Sequence, residues 1–478
     1  MLFNSWQYAV FFPLVFGLYW GLPYRFRLPV LLVASYWFYM SWNVKYVVLI
    51  LFTTAISYAA ALLIERYPSC RTRELIITAT IFACLGVLFV FKYFNFFAGA
   101  VSEFLSLFAI HLHPMTLQLL LPVGISFYTF QTLGYVIDVY RGDVKAERNF
   151  WVYATFISFF PQLVAGPIER TNNLLPQIKA VHEFRYEQAA YGIKLMTWGF
   201  FKKLCVADVL AVYVDKVFAD VYSYKGFALV LAVFFFTVQI YCDFSGYSDI
   251  ARGCSKMLGI ELMENFKSPY FSASVKEFWS RWHISLSTWF RDYVYIPLGG
   301  NRCGKLRHNV NLMVTFLVSG LWHGADWTFV VWGAVHGLAQ VAENALGVRR
   351  EVHGVMRWLR VAGTFAFVML AWVFFRAGSL NDAVYVAGNL FTGLSDVKAY
   401  FIYYGYKCFE IPNMDKLSML VNVIILALWD WYSLKLDLLA RVTMKKSPVL
   451  RYACYFGLLT ILLLTEATAP VSFVYFQF

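Results

Sequence analysis

This chain is short of charge. Only 14% of its 478 residues are Asp, Glu, Lys or Arg, against about 25% in an ordinary soluble domain. A water-soluble surface is hard to build at that level, and the mean hydropathy of +0.59 agrees. Other signals are missing. The eight cysteines, at 70, 84, 205, 242, 254, 303, 408 and 454, form no CxxC pair and no His/Cys ligand spacing, so neither a disulfide framework nor a metal site is expected. Most lie in or beside apolar runs, where cysteine packs as a small hydrophobe. There is no GxSxG elbow and no cysteine with an evident partner base, which leaves no obvious nucleophile. No Gly/Ser or Pro-rich linker, low-complexity stretch or repeat divides the chain. No basic helix or stripe stands apart from the apolar segments, so nucleic acid is not an expected partner. Residues 1–20 lack the basic start and small-residue exit of a cleavable signal.

What the chain has in excess is apolar and aromatic surface, 60% and 20% of its residues. Apolar runs recur from Phe11–Tyr19 through Pro29–Trp42, Tyr46–Ile64, Leu75–Val90, Phe227–Ile240, Val310–Trp322, Trp327–Val341, Val361–Phe375 and Leu417–Trp429 to Tyr452–Leu464. A helix needs roughly 20 apolar residues to cross a bilayer core about 30 Å thick. The pattern predicts an all-α polytopic bundle of roughly 10–12 spans, some broken or interfacial, forming a single domain over residues 1–478. The lipid bilayer is its expected surroundings.

The formal charge of +12 reads as orientation. Arg25 and Arg27 follow the first run, only Lys45 separates the second from the third, and Arg66, Arg71 and Arg73 follow the third. Basic loops stay in the cytosol, which predicts an extracytoplasmic amino terminus. Arg441, Lys445 and Lys446, before the last run, should be cytosolic as well.

Between the apolar flanks lies an amphipathic, charged block, Asp243 to Arg307. Over Lys276–Tyr293 the residues Trp279, Trp282, Leu286, Trp289 and Tyr293 recur at spacings of three and four, which predicts one helix with an apolar stripe. At mid-bilayer Arg or Asp costs about 2.5–3.5 kcal/mol, whereas Leu, Ile or Phe returns about 0.3–0.6. Arg281, Arg291 and Asp292 together would cost about 9 kcal/mol against about 3 recovered. This helix cannot cross lipid alone, so it lies in the interface or lines a cavity. The turn Leu298–Arg302 should end it. The segment Asn309–Leu346 is too long for one span, and Gly320, Gly324 and the polar group His323–Asp326 interrupt it. A break there is tolerated only beside a protein-lined or wet cavity, which places His323 on such a cavity.

Two histidines, His283 after Trp282 and His323 after Trp322, thus sit in an apolar medium on separate elements. Neutral imidazole is suited to take a proton from an alcohol near neutral pH. Two that converge on a cavity within a membrane suit acyl transfer from a thioester to a hydroxyl, one activating the hydroxyl and the other orienting it or stabilising the oxyanion.

The motifs WSRWHISLSTWFRDYVYIPLGGNR (279–302) and SGLWHGADWTFVVWGAVHG (319–337) resemble the signature of the membrane-bound O-acyltransferase (MBOAT) family, and more narrowly its alginate O-acetyltransferase branch. LPVGISFYTFQTLGYVIDVYRG (121–142), FFPQLVAGPIER (159–170), WGFFKKLCVAD (198–208), DFSGYSDIARG (243–253) and SFVYFQF (472–478) are similar to that branch in the same order. The resemblance implies a multi-helix bundle around a central tunnel in a bacterial inner membrane. It implies His323, in Trp-His-Gly, as the catalytic histidine. His283 matches the position where other branches carry an asparagine, aspartate or histidine partner. The implied donor is cytosolic acetyl-CoA, with no bound cofactor, and an extracytoplasmic partner protein would pass the acetyl group to a cell-surface polysaccharide such as alginate, cellulose or peptidoglycan. A carrier-protein thioester, as in the branch that adds D-alanine to teichoic acids, is a second reading. A proton-coupled transporter or scaffold is a third.

Further candidates follow from position. Trp282, Trp322, Ser287, Asp249 and His336 are candidates for tunnel or substrate contacts, with His336 favoured as structural or tunnel-lining. Lys202, Lys203, Arg302 and Lys305 are candidates for coenzyme A phosphates if cytosolic, with positive-inside membrane anchoring the favoured reading. Asp243, Asp249 and Arg252 follow an apolar run, where an internal ion pair is as reasonable as substrate contact. Arg291 and Asp292, as helix neighbours, are expected to point apart and pair elsewhere.

Overall fold

The computed structural model describes residues 1–111, 113–348, 352–406, 413–434, 436, 456–457, 460–461 and 473–474. Among them the regular elements are helices and none is a strand, so the expected all-α membrane fold is the one that forms. Among the described residues, four helices are long and apolar enough to cross a bilayer: Val44–Arg66, Cys70–Ser106, Phe227–Met257 and Gly354–Arg376. Trp6–Gly21 and Arg27–Met40 are shorter, at 16 and 14 residues. Arg441, Lys445, Lys446, Cys408, Cys454 and most of the run Tyr452–Leu464 lie outside the described residues.

Residue contacts divide the chain into two compact units, Met1–Met196 with Ile250–Met263, and Thr197–Asp249 with Glu264–Phe478. Two of the divisions fall inside the continuous helices Tyr186–Phe200 and Phe227–Met257. No linker composition marks them for that reason.

In the first unit, Val47–Arg66 packs on Cys70–Leu88 and Ile125–Arg141. Its buried Thr53, Thr54 and Ser57 hydroxyls donate to carbonyls three or four residues earlier in the same helix, which satisfies them without water. Residues 171–177, rich in turn formers, fold within a helix, Thr171–Lys179, with Arg170 as its extended N-cap.

The second unit carries the candidate site on six helices: α1 (Phe227–Met257, whose last turns belong to the first unit), α2 (Val275–Arg281), α3 (Ile284–Phe290), α4 (Lys305–His323), α5 (Trp327–Ala345) and α6 (Gly354–Arg376). α4 and α5 form a close hairpin. A Cβ on Gly320 would stand 2.3 Å from the Phe329 carbonyl oxygen, and one on Gly333 2.4 Å from that of Phe316. Only residues without a side chain permit that approach. α4 stops at His323 because Asp326 caps α5, its carboxylate accepting from the Thr328 N–H at 2.8 Å. The expected break in the segment is therefore present.

The expected single helix over Lys276–Tyr293 is not. α2 ends at Arg281, and His283 adopts left-handed backbone, φ +42° and ψ +54°, before α3 begins. A tertiary competitor is the reason. Asn265 takes the first N–H groups of α3: its carbonyl accepts from Ile284 and its Oδ1 from Ser285, both at 3.0 Å. The Arg281 carbonyl, which a continuing helix would use, accepts from the Lys267 N–H at 3.0 Å instead. At the other end Glu343 of α5 accepts from the N–H groups of Val275 and Lys276, at 2.6 and 3.0 Å. A cap of this kind stabilises by about 0.5–2 kcal/mol. The apolar stripe is nonetheless buried as its period implies, at Trp279, Trp282, Leu286 and Trp289. A π-helical turn, Arg291–Tyr295, follows α3. Gly299 and Gly300, both at positive φ, then form the expected turn.

Candidate active site

The site lies wholly in the second unit, and its centre is one indole. Trp322 stands with its ring centroid 5.0 Å from that of His323 and 6.2 Å from that of His283, edge-on to both. The two imidazoles that the sequence singled out are thus brought to a common tryptophan. Both are buried, at 0% exposure for His283 and 3% for His323. His283 also meets the edge of Phe244 at 4.5 Å and Phe266 at 6.4 Å. His323 meets Trp332 at 4.9 Å and Phe375 at 5.4 Å.

Trp332 extends the cluster. Its second imidazole neighbour is His336, 5.0 Å away and fully buried. The His336 Nδ1 accepts from the Trp279 indole N–H at 3.3 Å. The break in the helix, which left the relative direction of His323 and His336 open, has therefore folded both rings against Trp332. Trp282 is buried between Trp372 and Phe266, both at 5.0 Å, and Ser287 Oγ donates to its carbonyl at 3.2 Å.

The charged candidates sit in a different arrangement. A close crossing brings Gly246 of α1 against Gly199, where a Cβ would be 2.8 Å from the Gly199 carbonyl oxygen. That approach lays the π-helical segment Phe201–Ala207 along α1. Lys202 Nζ contacts Asp249 Oδ2 at 2.7 Å and Ser245 Oγ at 2.9 Å. Lys203 Nζ bridges Asp208 and Asp243, at 2.7 and 2.6 Å. Lys202 and Lys203 are buried in these internal ion pairs, the option raised for Asp243 and Asp249, and their ammonium groups are engaged by carboxylates. Arg302 and Lys305 are exposed. Arg291 and Asp292, expected to point apart, pair with each other. Arg291 Nε donates to Asp292 Oδ1 at 2.7 Å and its Nη2 to Oδ2 at 3.3 Å, a reach that the long, exposed Arg291 side chain makes despite the splay between helix neighbours.

Four residues of this site had not been singled out: Asn265 and Glu343, which seat α3 and α2, and Trp279 and Trp332, which hold His336. Trp279 was visible only as part of an apolar stripe. A lone Glu near the end of an apolar run was the one signal that Glu343 offered.

Chemically, an imidazole in a buried aromatic shell can exchange a proton with a bound hydroxyl, and charges formed there interact more strongly than in water. Family comparison bears on the reaction class. The MBOAT, membrane-bound O-acyltransferase family profile matches residues 146–381. The probable alginate O-acetylase AlgI of Pseudomonas syringae pv. tomato is 41% identical over 400 residues, covering 82% of this chain and 75% of that protein. The chain belongs to the membrane-bound O-acyltransferase family. This O-acyltransferase is also 42% identical over 388 residues to the probable alginate O-acetylase AlgI of Pseudomonas aeruginosa, covering 80% of this chain and 73% of that one. It is similar as well to the peptidoglycan O-acetyltransferase of Helicobacter pylori, 36% identical over 398 residues, with 77% and 74% covered. His283, His323 and His336 all fall within the matched region. Membership sets aside the transporter and scaffold readings.

Proposed function

We propose that this O-acyltransferase carries acetyl groups from cytosolic acetyl-CoA across the bacterial inner membrane for the O-acetylation of a cell-surface polysaccharide of the alginate kind, with His323 as the base and His283 as its partner. The observation that carries the assignment of roles is the pair of imidazoles packed edge-on against Trp322. The substrate class is supported by the alginate O-acetylases it resembles.

In this reading His323 takes the proton of an acceptor hydroxyl as its oxygen attacks the thioester carbonyl. A C–O bond forms and a tetrahedral oxyanion results, which His283 stabilises or orients. Collapse breaks the C–S bond, and the proton held by His323 passes to the leaving coenzyme A thiolate. The products are an acetyl ester and the free thiol. The donor reaches the site from the cytosolic mouth of a tunnel and the acceptor from the other. Lys305 and Arg302, exposed at the start of α4, are the better placed of the four basic candidates to meet coenzyme A phosphates. The acceptor is an extracytoplasmic partner protein or the glycan itself, and the amino terminus lies outside.

Peptidoglycan is a second acceptor reading, favoured by the Helicobacter pylori relative. Radiolabelled acetyl-CoA supplied to native envelope vesicles decides between them and tests the whole. Acetate recovered in the polysaccharide fraction supports the first reading, and acetate in muramic acid residues supports the second. No label in either, or full labelling by His323→Ala at matched protein levels, overturns the assignment.

A further inference from the structure

The carboxy-terminal motif, residues 472–478, has no part in the chemistry above, yet two of its residues reach the site. Val474 donates its backbone N–H to Asp243 Oδ2 at 2.7 Å, across 231 positions of sequence. The other oxygen of Asp243 takes Lys203 at 2.6 Å. Phe473 packs on Tyr247 at 5.2 Å and on Phe244 at 6.0 Å, and the Lys203 ammonium lies 6.0 Å from its ring centroid. Phe473 and Val474 are both buried.

Residue 247 lies four positions after 243 and three after 244 on α1, so it is a surface neighbour of both and the three fall within an arc of about 100°. Phe473 and Val474 therefore contact α1 on the arc from which Phe244 projects onto His283. Phe244 meets His283 edge-on at 4.5 Å and Phe266 at 5.1 Å. The rings form a continuous path: Tyr247, Phe473, Phe244, His283. His283 sits on left-handed backbone between two short helices, so the packing of its ring on Phe244 bears directly on where its nitrogens point.

We infer that Phe473 and Val474 act as a positioning latch for His283, holding α1 and the Phe244 ring in the arrangement that aims the imidazole. The inference rests on the proposed role of His283 in transfer. Loss of the latch would leave donor binding intact while misplacing a group at the reacting centre, and a displacement of about 1 Å there can cost about 100-fold in rate. A residue that merely fills space would instead lower the amount of folded protein without changing turnover per folded molecule.

The test compares Phe473→Ala, Phe473→Leu and His283→Ala with the wild type in native envelope vesicles, with radiolabelled acetyl-CoA as the probe and rates normalised to folded protein. The expected result for Phe473→Ala is a fall in kcat of about 10-fold or more with KM for acetyl-CoA within about twofold, and for Phe473→Leu a kcat within about threefold of wild type. Should Phe473→Ala not accumulate, Phe473→Val takes its place under the same criteria. Wild-type kcat in the smaller variant, or a loss wholly in KM or in folded protein, overturns the latch. If His283→Ala itself retains full transfer, the reading of His283 fails first. If His283→Ala is inactive while Phe473→Ala is not, only the latch fails.

Discussion

The indole N–H of Trp279 donates to Nδ1 of His336 at 3.3 Å, so the accepting nitrogen carries no proton and the neutral ring holds its proton on Nε2. Phe278 stacks on the same ring at 6.3 Å. His336 is thus a held member of the aromatic cluster, while His323 is the imidazole on the shared indole. His336→Phe keeps a flat ring but leaves the Trp279 donor buried and unpaired, a loss of about 1–3 kcal/mol. The expected outcome is a lower Tm in detergent with transfer per folded molecule little changed. His323→Ala should lower transfer by about 10²–10⁴-fold, the usual contribution of a general base. Equal losses of transfer from the two, at matched protein, would remove the distinction.

The left-handed backbone of His283 makes a second prediction. A non-glycine residue in that conformation costs about 1–2 kcal/mol, and Asn, Asp and His tolerate it best. Those are the three residue types that the resemblance places at this position in different branches, so the backbone itself narrows what can stand there. His283→Asn should fold better than His283→Ala or His283→Val, read as the fraction of monodisperse protein on gel filtration. A valine variant as well behaved as the asparagine variant would contradict this.

Much of this was legible beforehand, because apolar period and lipid cost are local properties. The break at Gly324–Asp326 and the burial of Trp279, Trp282, Leu286 and Trp289 follow from residue spacing alone. The break at His283 does not, since Asn265 lies 18 residues away and acts through tertiary hydrogen bonds. The same holds for Lys202 and Lys203. Adjacent lysines look like a surface anchor, and only the π-helical turn and the Gly199–Gly246 approach reveal that both are buried against carboxylates. Two of the three boundaries between the units were hidden inside continuous helices.

The ion-pair cluster carries a stability prediction. Lys203 is the shared partner of Asp208 and Asp243, and removing one partner of a buried pair typically costs about 3–5 kcal/mol, because the charge left behind is uncompensated. Lys203→Met should therefore lower the Tm markedly. Adding Asp243→Asn should recover part of that loss, since the second change removes one of the stranded charges. An unchanged Tm in Lys203→Met would show that the pairs contribute nothing to the fold.

The α4–α5 hairpin tests how closely His323 depends on its scaffold. Gly320 lies three residues before His323 on α4, and its Cβ would fall 2.3 Å from backbone on α5. Backbone cannot step aside as a flexible side chain can, so Gly320→Ala must push the two helices apart, at a cost of about 1–3 kcal/mol for overpacking. The displacement falls at the end of α4 that presents His323 to Trp322 and Trp332, so transfer should fall along with the Tm. Gly363, on α6, is the matched control, for a Cβ there meets nothing within 4 Å. Its replacement by alanine should leave transfer unchanged and raise the Tm slightly, as alanine favours helix over glycine by about 1 kcal/mol. Transfer at the wild-type rate in Gly320→Ala would mean that the hairpin does not set the position of His323.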